Sequence, residues 1–371
     1  FSLYGSFSTL VEDSISLDES HLFGKCVNTG FRIVKGGVFD SFIGFALTVL
    51  NHEYFGHGGR FRMFKLSYSE LPHLSFVFRP RLSYYPPFFT FFDIDDAYFI
   101  VNLNEAPPYE FLSLFTTGGS EGNFILSEVL RKKMIQNKEV DYYSSILFLN
   151  SRLDLATYIL LSTGNTSLDP PQGDIGYYLY YLNNQYGYPD TDEYLVTLAS
   201  LKIRALLSFL DPLIYLTLFY HFYYYFSGKA YYPLPLLKIG EFSFLPYFNI
   251  LLSPFGCDHY LQFQGLWNDL FLSGYMRIGE TTFNTFWGFG LLIDDLHIFN
   301  NLKYGIRTDF YIQPKEFTKD SPSEVGGGIC LNVKYLFNFI SIEIKIGCKS
   351  KGFIPGLPYS HPVYGGIGIH W

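Results

Sequence analysis

Charge is scarce in this chain of 371 residues: Asp, Glu, Lys and Arg together make 16%, and the net charge is −8. With no basic stripe to meet phosphates, nucleic acid is excluded as a partner. Cysteine is rare too. Cys26, Cys257, Cys330 and Cys348 form no C-x-x-C pair, so no zinc ribbon is present. There is no G-x-S-x-G elbow, phosphate-binding loop or dinucleotide fingerprint. Clean apolar runs of about twenty residues are also missing. Phe42–Leu50 and Leu213–Phe226 are greasy, but Asp40 precedes the first and Asp211–Pro212 interrupts the second, against a polytopic helical membrane protein. The chain opens at Phe1 without a basic-then-apolar leader, and removal of a signal peptide is the expectation.

What the chain does have is aromatics, with 32 Tyr and 40 Phe in a total of 20%. Membrane barrels place such residues in girdles at both interfaces. From about Tyr231 onward the sequence alternates with period two. Ile340, Ile342, Ile344 and Ile346 alternate with Ser341, Glu343, Lys345 and Gly347, and the stretches Leu302–Ile312 and Ile329–Leu336 behave alike. Weaker strands are expected over Glu241–Ser253, His259–Trp267, Leu270–Ile278 and Thr282–Ile293. Cys330 and Cys348 lie in consecutive strands, as either a cross-strand disulfide or free thiols. In the last ten residues Val363, Ile367, Ile369 and Trp371 share one face, and Gly366, Gly368 and His370 the other. This ending resembles the carboxyl-terminal signature of bacterial outer-membrane β-barrel proteins. The resemblance covers roughly the last 140 residues and implies a Gram-negative outer-membrane location, contact with membrane lipid, and other outer-membrane or periplasmic proteins as partners.

The first part differs. Val38–His57, Pro108–Asn137, Asp141–Thr163 and Thr191–Phe226 read as helices, with Thr191 as an N-cap and Gly164 as a stop. Arg60–Ser69, His73–Tyr84 and Ala97–Asn104 read as strands, while Asp169–Gly176 and Asn183–Asp190 read as turn-rich connectors. The expected fold is α+β: an antiparallel transmembrane β-barrel of about 8–14 strands, with an apolar helical bundle packed in or against it. The mainly helical region is 1–228, and the barrel strands are 229–371.

One motif bears chemistry. The segment Asn51-His52-Glu53-Tyr54-Phe55-Gly56-His57-Gly58-Gly59-Arg60 is similar to the helix of zinc metallopeptidases, whose H-E-x-x-H binds zinc through two histidines and activates water with the glutamate. Here one residue is added, giving H-E-x-x-x-H. On a straight α-helix His57 would be rotated roughly 140° from His52 and stand about 7.5 Å along the axis. A shared ion then needs a π-bulge, or unwinding at Gly56. Alternatively Glu53 and His57 form the pair, with His52 behind them. The resemblance implies zinc at His52 and His57, Glu53 as catalytic base, a third ligand from a later helix, and a peptide substrate. Glu121 in Gly118–Asn123 is the first choice for that ligand. Asp211 is the alternative, with Arg204 placed to neutralise it, and Asp154 is expected to pair with Arg152.

Without a metal, helix one simply ends at a wet boundary and Arg60 or Arg62 pairs with Glu53. His73, His221, His259, His297, His361 and His370 have no ligand spacing and read as structural. Two classes therefore stand: a membrane-embedded metallopeptidase-like hydrolase, or a non-enzymatic barrel acting in transport or as a scaffold in a larger assembly.

Overall fold

The computed structural model describes residues 2–65, 74–85, 89–101, 109–163, 173–186, 196–229, 231–280, 285–299, 301–315, 321–337, 341–357 and 362–370. Helix α1 (Ser2–Ile15) is followed by α2 (Leu22–Val34), α3 (Ser41–Leu50) and α4 (Gly58–Lys65), which a π turn at Lys35–Asp40 and another at Asn51–His57 join into one rod. The hairpin β1 (Leu74–Tyr85) and β2 (Phe89–Val101) comes next. Then follow α5 (Tyr109–Asn137), the short β3 (Glu139–Asp141), α6 (Tyr142–Leu161), α7 (Gly173–Gln185) and α8 (Leu198–Ala205). A 3₁₀ segment (Leu206–Leu210) leads to α9 (Pro212–Phe219) and a third π turn (Tyr220–Tyr225).

The remaining strands are β4 (Tyr231–Pro233), which pairs with β3, and β5 (Leu237–Ile239), β6 (Phe242–Ser253), β7 (Gly256–Trp267), β8 (Leu270–Glu280), β9 (Thr285–Phe299), β10 (Leu302–Pro314), β11 (Ser323–Leu336), β12 (Ser341–Lys349) and β13 (Val363–His370). Strands β5 to β13 form one nine-stranded antiparallel meander in sequence order.

Helix ends follow local chemistry. Asp141 caps α6 by accepting from the Ser144 amide at 2.9 Å, Thr197 and Ser200 form a capping box on α8, and Asp211 precedes Pro212 at the start of α9. The expected helix Thr191–Phe226 is therefore divided. Asp211 leaves a 60° bend, and Thr191 lies outside the described residues, as do Gly164, Ile340 and Trp371. Arg60–Lys65 continues the first rod instead of starting a strand, and α7 begins within the expected connector. The rod Leu22–Arg62 is long and apolar enough to cross a membrane. Asp40 does not spoil it, because Lys35 donates to that carboxylate at 2.8 Å.

The sheet is polar inside and apolar outside. Helix α5 packs on its inner face, where Lys132 binds Asp294, Gln136 binds Asp295, and Glu128 accepts from Tyr247 and Gln264. Following the pairing registers, no Asp, Glu, Lys or Arg falls on the outer set of β6 to β13 among the described side chains. Ile346, Val363 and Ile367 are 62%, 68% and 79% exposed, whereas inward Glu343 is 9% exposed. Helices α6 to α8 cover part of this outer face, packing Leu155, Ile159, Tyr178 and Leu201 on Ile250, Leu252 and Cys257.

One expectation changes, and one open alternative resolves. The sheet is open, not a closed barrel, with β13 and β5 as its edges. Beside β5, strand β6 lies against the 3₁₀ segment and α9. All four cysteines are free. Cys330 faces Gly347, and Cys348 faces Ile329; this one-residue offset sends the two thiols to opposite faces.

Candidate metal centre

The second π turn supplies the register that the added residue demanded. A π turn closes its hydrogen bonds from i to i+5, so residues five apart align. His52 and His57 meet with ring centroids 5.0 Å apart, and ligand atoms of His52, Glu53 and His57 all lie within 4.8 Å of one another. All three residues are buried. This group can hold a metal ion.

The turn reaches this position because glycines let two helices touch. A Cβ on Gly56 would stand 2.5 Å from the Gly118 carbonyl oxygen, and one on Gly119 would stand 2.1 Å from His52 Nε2. Helix α5 passes unbroken through Gly118, Gly119 and Gly122 and walls one side of the site. The Phe115 carbonyl accepts from His57 Nδ1 at 2.7 Å. A carbonyl only accepts, so Nδ1 carries the proton and Nε2 is left for the site. Asp154 on α6 holds His52 Nδ1 at 3.2 Å in the same manner. Such outer partners orient metal-binding imidazoles.

Both Nε2 atoms converge on one carboxylate oxygen. Asp174 Oδ2 lies 3.0 Å from His52 Nε2 and 3.1 Å from His57 Nε2. Burial works to raise the Asp174 carboxyl, but the charge of His57 and the hydrogen bonds from both imidazoles hold it well below the usual carboxylate range. Its side chain keeps 26% exposure and that of Asp154 22%, so the cluster borders solvent. Tyr158 supports Asp174 by accepting its amide at 3.1 Å.

The expected third ligands lie elsewhere. Glu121 is clamped by Arg60 at 2.6 and 2.5 Å and accepts from the Gly356 amide. Asp211 is gripped by Arg131 and by Arg152 at 2.7 Å, not by Arg204. Arg152 being so engaged, Asp154 turns to His52; Arg60 meets Glu121, not Glu53. Asp174 was missed because Asp169–Gly176 is rich in turn formers. The signal for it was Gly173-Asp174 opening the apolar stretch from Ile175, an acid in the first turn of a helix.

No protein-family model, curated protein or solved structure matches this chain.

Proposed function

We propose that this protein is a zinc-dependent, peptidase-like hydrolase built into the outer membrane of a Gram-negative bacterium. One observation carries the reading: a π turn turns an irregular H-E-x-x-x-H into two buried imidazoles whose Nε2 atoms meet the Asp174 carboxylate, with Glu53 on the same turn. Two nitrogens and one carboxylate make the ligand set of many catalytic zinc sites, which keep a fourth position for water. Metal–ligand bonds of about 2.0–2.1 Å imply ligand separations of about 3.3 Å in a tetrahedron, close to the distances at Asp174. Zinc bound there would supply an acidified water and polarise the scissile carbonyl. Glu53 would take a proton from that water and return it to the leaving nitrogen, while Asp154 and the Phe115 carbonyl fix both imidazoles.

The membrane assignment rests on the outer face of the sheet, where the described side chains of β6 to β13 include no Asp, Glu, Lys or Arg, and on its charged interior, the inverse of a soluble protein. Membrane lipid is the partner this implies. A second reading, a non-enzymatic barrel serving transport or scaffolding with other outer-membrane or periplasmic proteins, draws on α5, which fills the inner face as a plug would.

Zinc content decides between them. The enzyme reading expects one zinc per native chain, loss of zinc in His57→Ala, and loss of peptide hydrolysis with zinc retained in Glu53→Gln. Equal zinc in native protein and His57→Ala would refute it.

A further inference from the structure

We infer that the metal centre serves polypeptides anchored in the bilayer and cuts them in the first residues outside the hydrocarbon. The ground is that the rod carrying His52, Glu53 and His57 crosses the membrane on the lipid side of the sheet. The inference names the substrate class of the site proposed above, and it rests on the hydrolase and membrane readings.

Packing fixes the side of the wall on which the metal lies. Helix α5 sits on the inner face, but Asp154 and Asp174 belong to α6 and α7. The residues beside these acids, Leu155 and Ile175, join Ile159 and Tyr178 in a buried cluster with Ile250, Leu252 and Cys257 of the outer face. Tyr178 also donates to the Ser253 carbonyl at 2.7 Å. In the membrane reading that outer face meets lipid. The helices that cover it, and the metal with them, therefore stand on the lipid side of the wall and not in a water-filled lumen.

The rod has the surface of a membrane span. From Ile33 to Phe55 its charged residues are Lys35, Asp40 and Glu53, and all three are buried, Lys35 against Asp40. Val34, Phe39, Phe45, Leu50 and Phe55 are exposed along the same stretch. At 1.5 Å per residue this charge-free side covers roughly 33 Å, about the thickness of a hydrocarbon core. Exposed cations stand beyond each end, Lys25 at one and Arg62 at the other. The Arg62 guanidinium lies 5.0 Å from the Tyr54 ring centre and donates to the Tyr54 carbonyl at 3.0 Å. Tyrosine and arginine are residues of the membrane boundary, where one end is apolar and the other wet. The metal cluster, on the same turn as Tyr54, thus lies at that boundary and not at mid-depth. Its rim is apolar: Phe55 on the rod, Leu161 two turns beyond Asp154 on α6, and Tyr177 one turn beyond Asp174 on α7 are all exposed. An apolar rim around a metal at the boundary fits a chain whose anchor stays in lipid while its backbone emerges. The step is hydrolysis: the hydroxyl of water joins the carbonyl carbon, the carbon–nitrogen bond breaks, and the proton goes to the leaving amine.

The test uses the full chain, loaded with zinc, in vesicles of phosphatidylethanolamine and phosphatidylglycerol. One mixture of random decapeptides is supplied in four forms: palmitoylated, fused to a membrane-spanning Leu-Ala segment, palmitoylated through a rigid twelve-proline spacer of about 37 Å, or only acetylated. At least one directly anchored form should be cut at least about tenfold faster than the spaced and acetylated forms, with cuts in the half of the decapeptide next to the anchor. The spaced form reaches the same surface concentration as its direct counterpart, so equal rates for those two would overturn the proposal. An acetylated peptide cut as fast as the anchored ones would overturn it too, while leaving the hydrolase reading intact. Cleavage of no form by zinc-loaded protein would overturn both. Position in the membrane has its own readout, from spin labels attached in Phe45→Cys and Arg62→Cys with Cys26, Cys330 and Cys348 replaced by serine. Oxygen should relax the label of Phe45→Cys more strongly, and a water-soluble nickel chelate that of Arg62→Cys. A Phe45→Cys label open to nickel would place the rod in water, and one shielded from both reagents would mean that a second protein covers it; either result overturns the proposal.

Discussion

Two acids in this protein have opposite surroundings. Asp211, fully buried at the start of α9, lies between the guanidiniums of Arg131 and Arg152, and Glu121 similarly has Arg60. Among the described residues, the bases at Asp174 are the imidazoles of His52 and His57. A guanidinium is a permanent cation, so the Asp211 cluster brings its own counter-charge and leaves nothing for a metal to neutralise. An imidazole must either take a proton or offer a lone pair, so the Asp174 cluster can exchange protons for a divalent cation. Proximity of acids to a helix motif does not identify a ligand; the chemistry of the neighbouring base does.

The comparison breaks most visibly at Asp211. Asp211→Asn leaves two buried guanidiniums without their carboxylate, and the expected loss is about 3–5 kcal/mol in unfolding measured in detergent. Zinc bound per folded chain should be unchanged. A zinc-free but normally stable Asp211→Asn protein would reverse the assignment of the two acids.

At Asp174 the outcome should be the opposite. Asp174→Ala removes one of three ligands, and zinc affinity read by chelator competition should fall by at least about 100-fold, beyond what loss of an outer partner costs. The metal-free protein also carries a pH signature. Because the Asp174 carboxyl is held below its unfolded value, its contribution is complete above the ordinary carboxylate range and is lost as pH falls through the depressed folded value. In chelator, Asp174→Asn should therefore be less stable than native at neutral pH, and the difference should shrink in strong acid. A difference that grew with acid would contradict the ion pair.

Much of this was legible in the chain, but unevenly. Period two along Ile342, Glu343, Ile344 and Lys345 identifies a two-faced strand from local sequence, because side-chain direction alternates whatever the strand packs against. The extra residue between His52 and His57 likewise limited a shared ion to a π turn or an unwound helix end. The third ligand was not legible in the same way. Glu121 lies beside glycines and looks exposed to a metal, yet the fold spends it on Arg60, a partner 61 residues away in sequence. Asp174 comes from a segment whose local composition signals turns, and only the packing of α7 against α5 brings it to the imidazoles. The openness of the sheet was illegible for the same reason, because what a terminal strand's far edge meets depends on partners distant in sequence.

Gly119 sharpens the comparison from the backbone side. In Gly119→Ala the new methyl would overlap the His52 ring, so the imidazole must leave Asp174 or α5 must withdraw. Zinc affinity should fall by about 10–100-fold, the scale of lost ligand orientation. Retained affinity would show that His52 does not need its present place.

The smallest effect belongs to Asp154, and it tests whether the cluster is tuned as well as assembled. Asp154 accepts the His52 Nδ1 proton and so directs Nε2 toward Asp174, while its negative charge makes the ring a better donor. In Asp154→Asn an oxygen can still accept that proton, so ring orientation survives and only the charge is removed. Zinc affinity should drop by about tenfold, at the weak end of outer-partner effects. Glu121→Gln, which also neutralises a buried acid of the same helical region, should leave affinity within about twofold, because Glu121 faces Arg60 and the Gly356 amide instead of an imidazole. Equal losses in the two variants would mean that affinity follows total negative charge, and the distinction between acids paired with guanidinium and acids paired with imidazole would not hold.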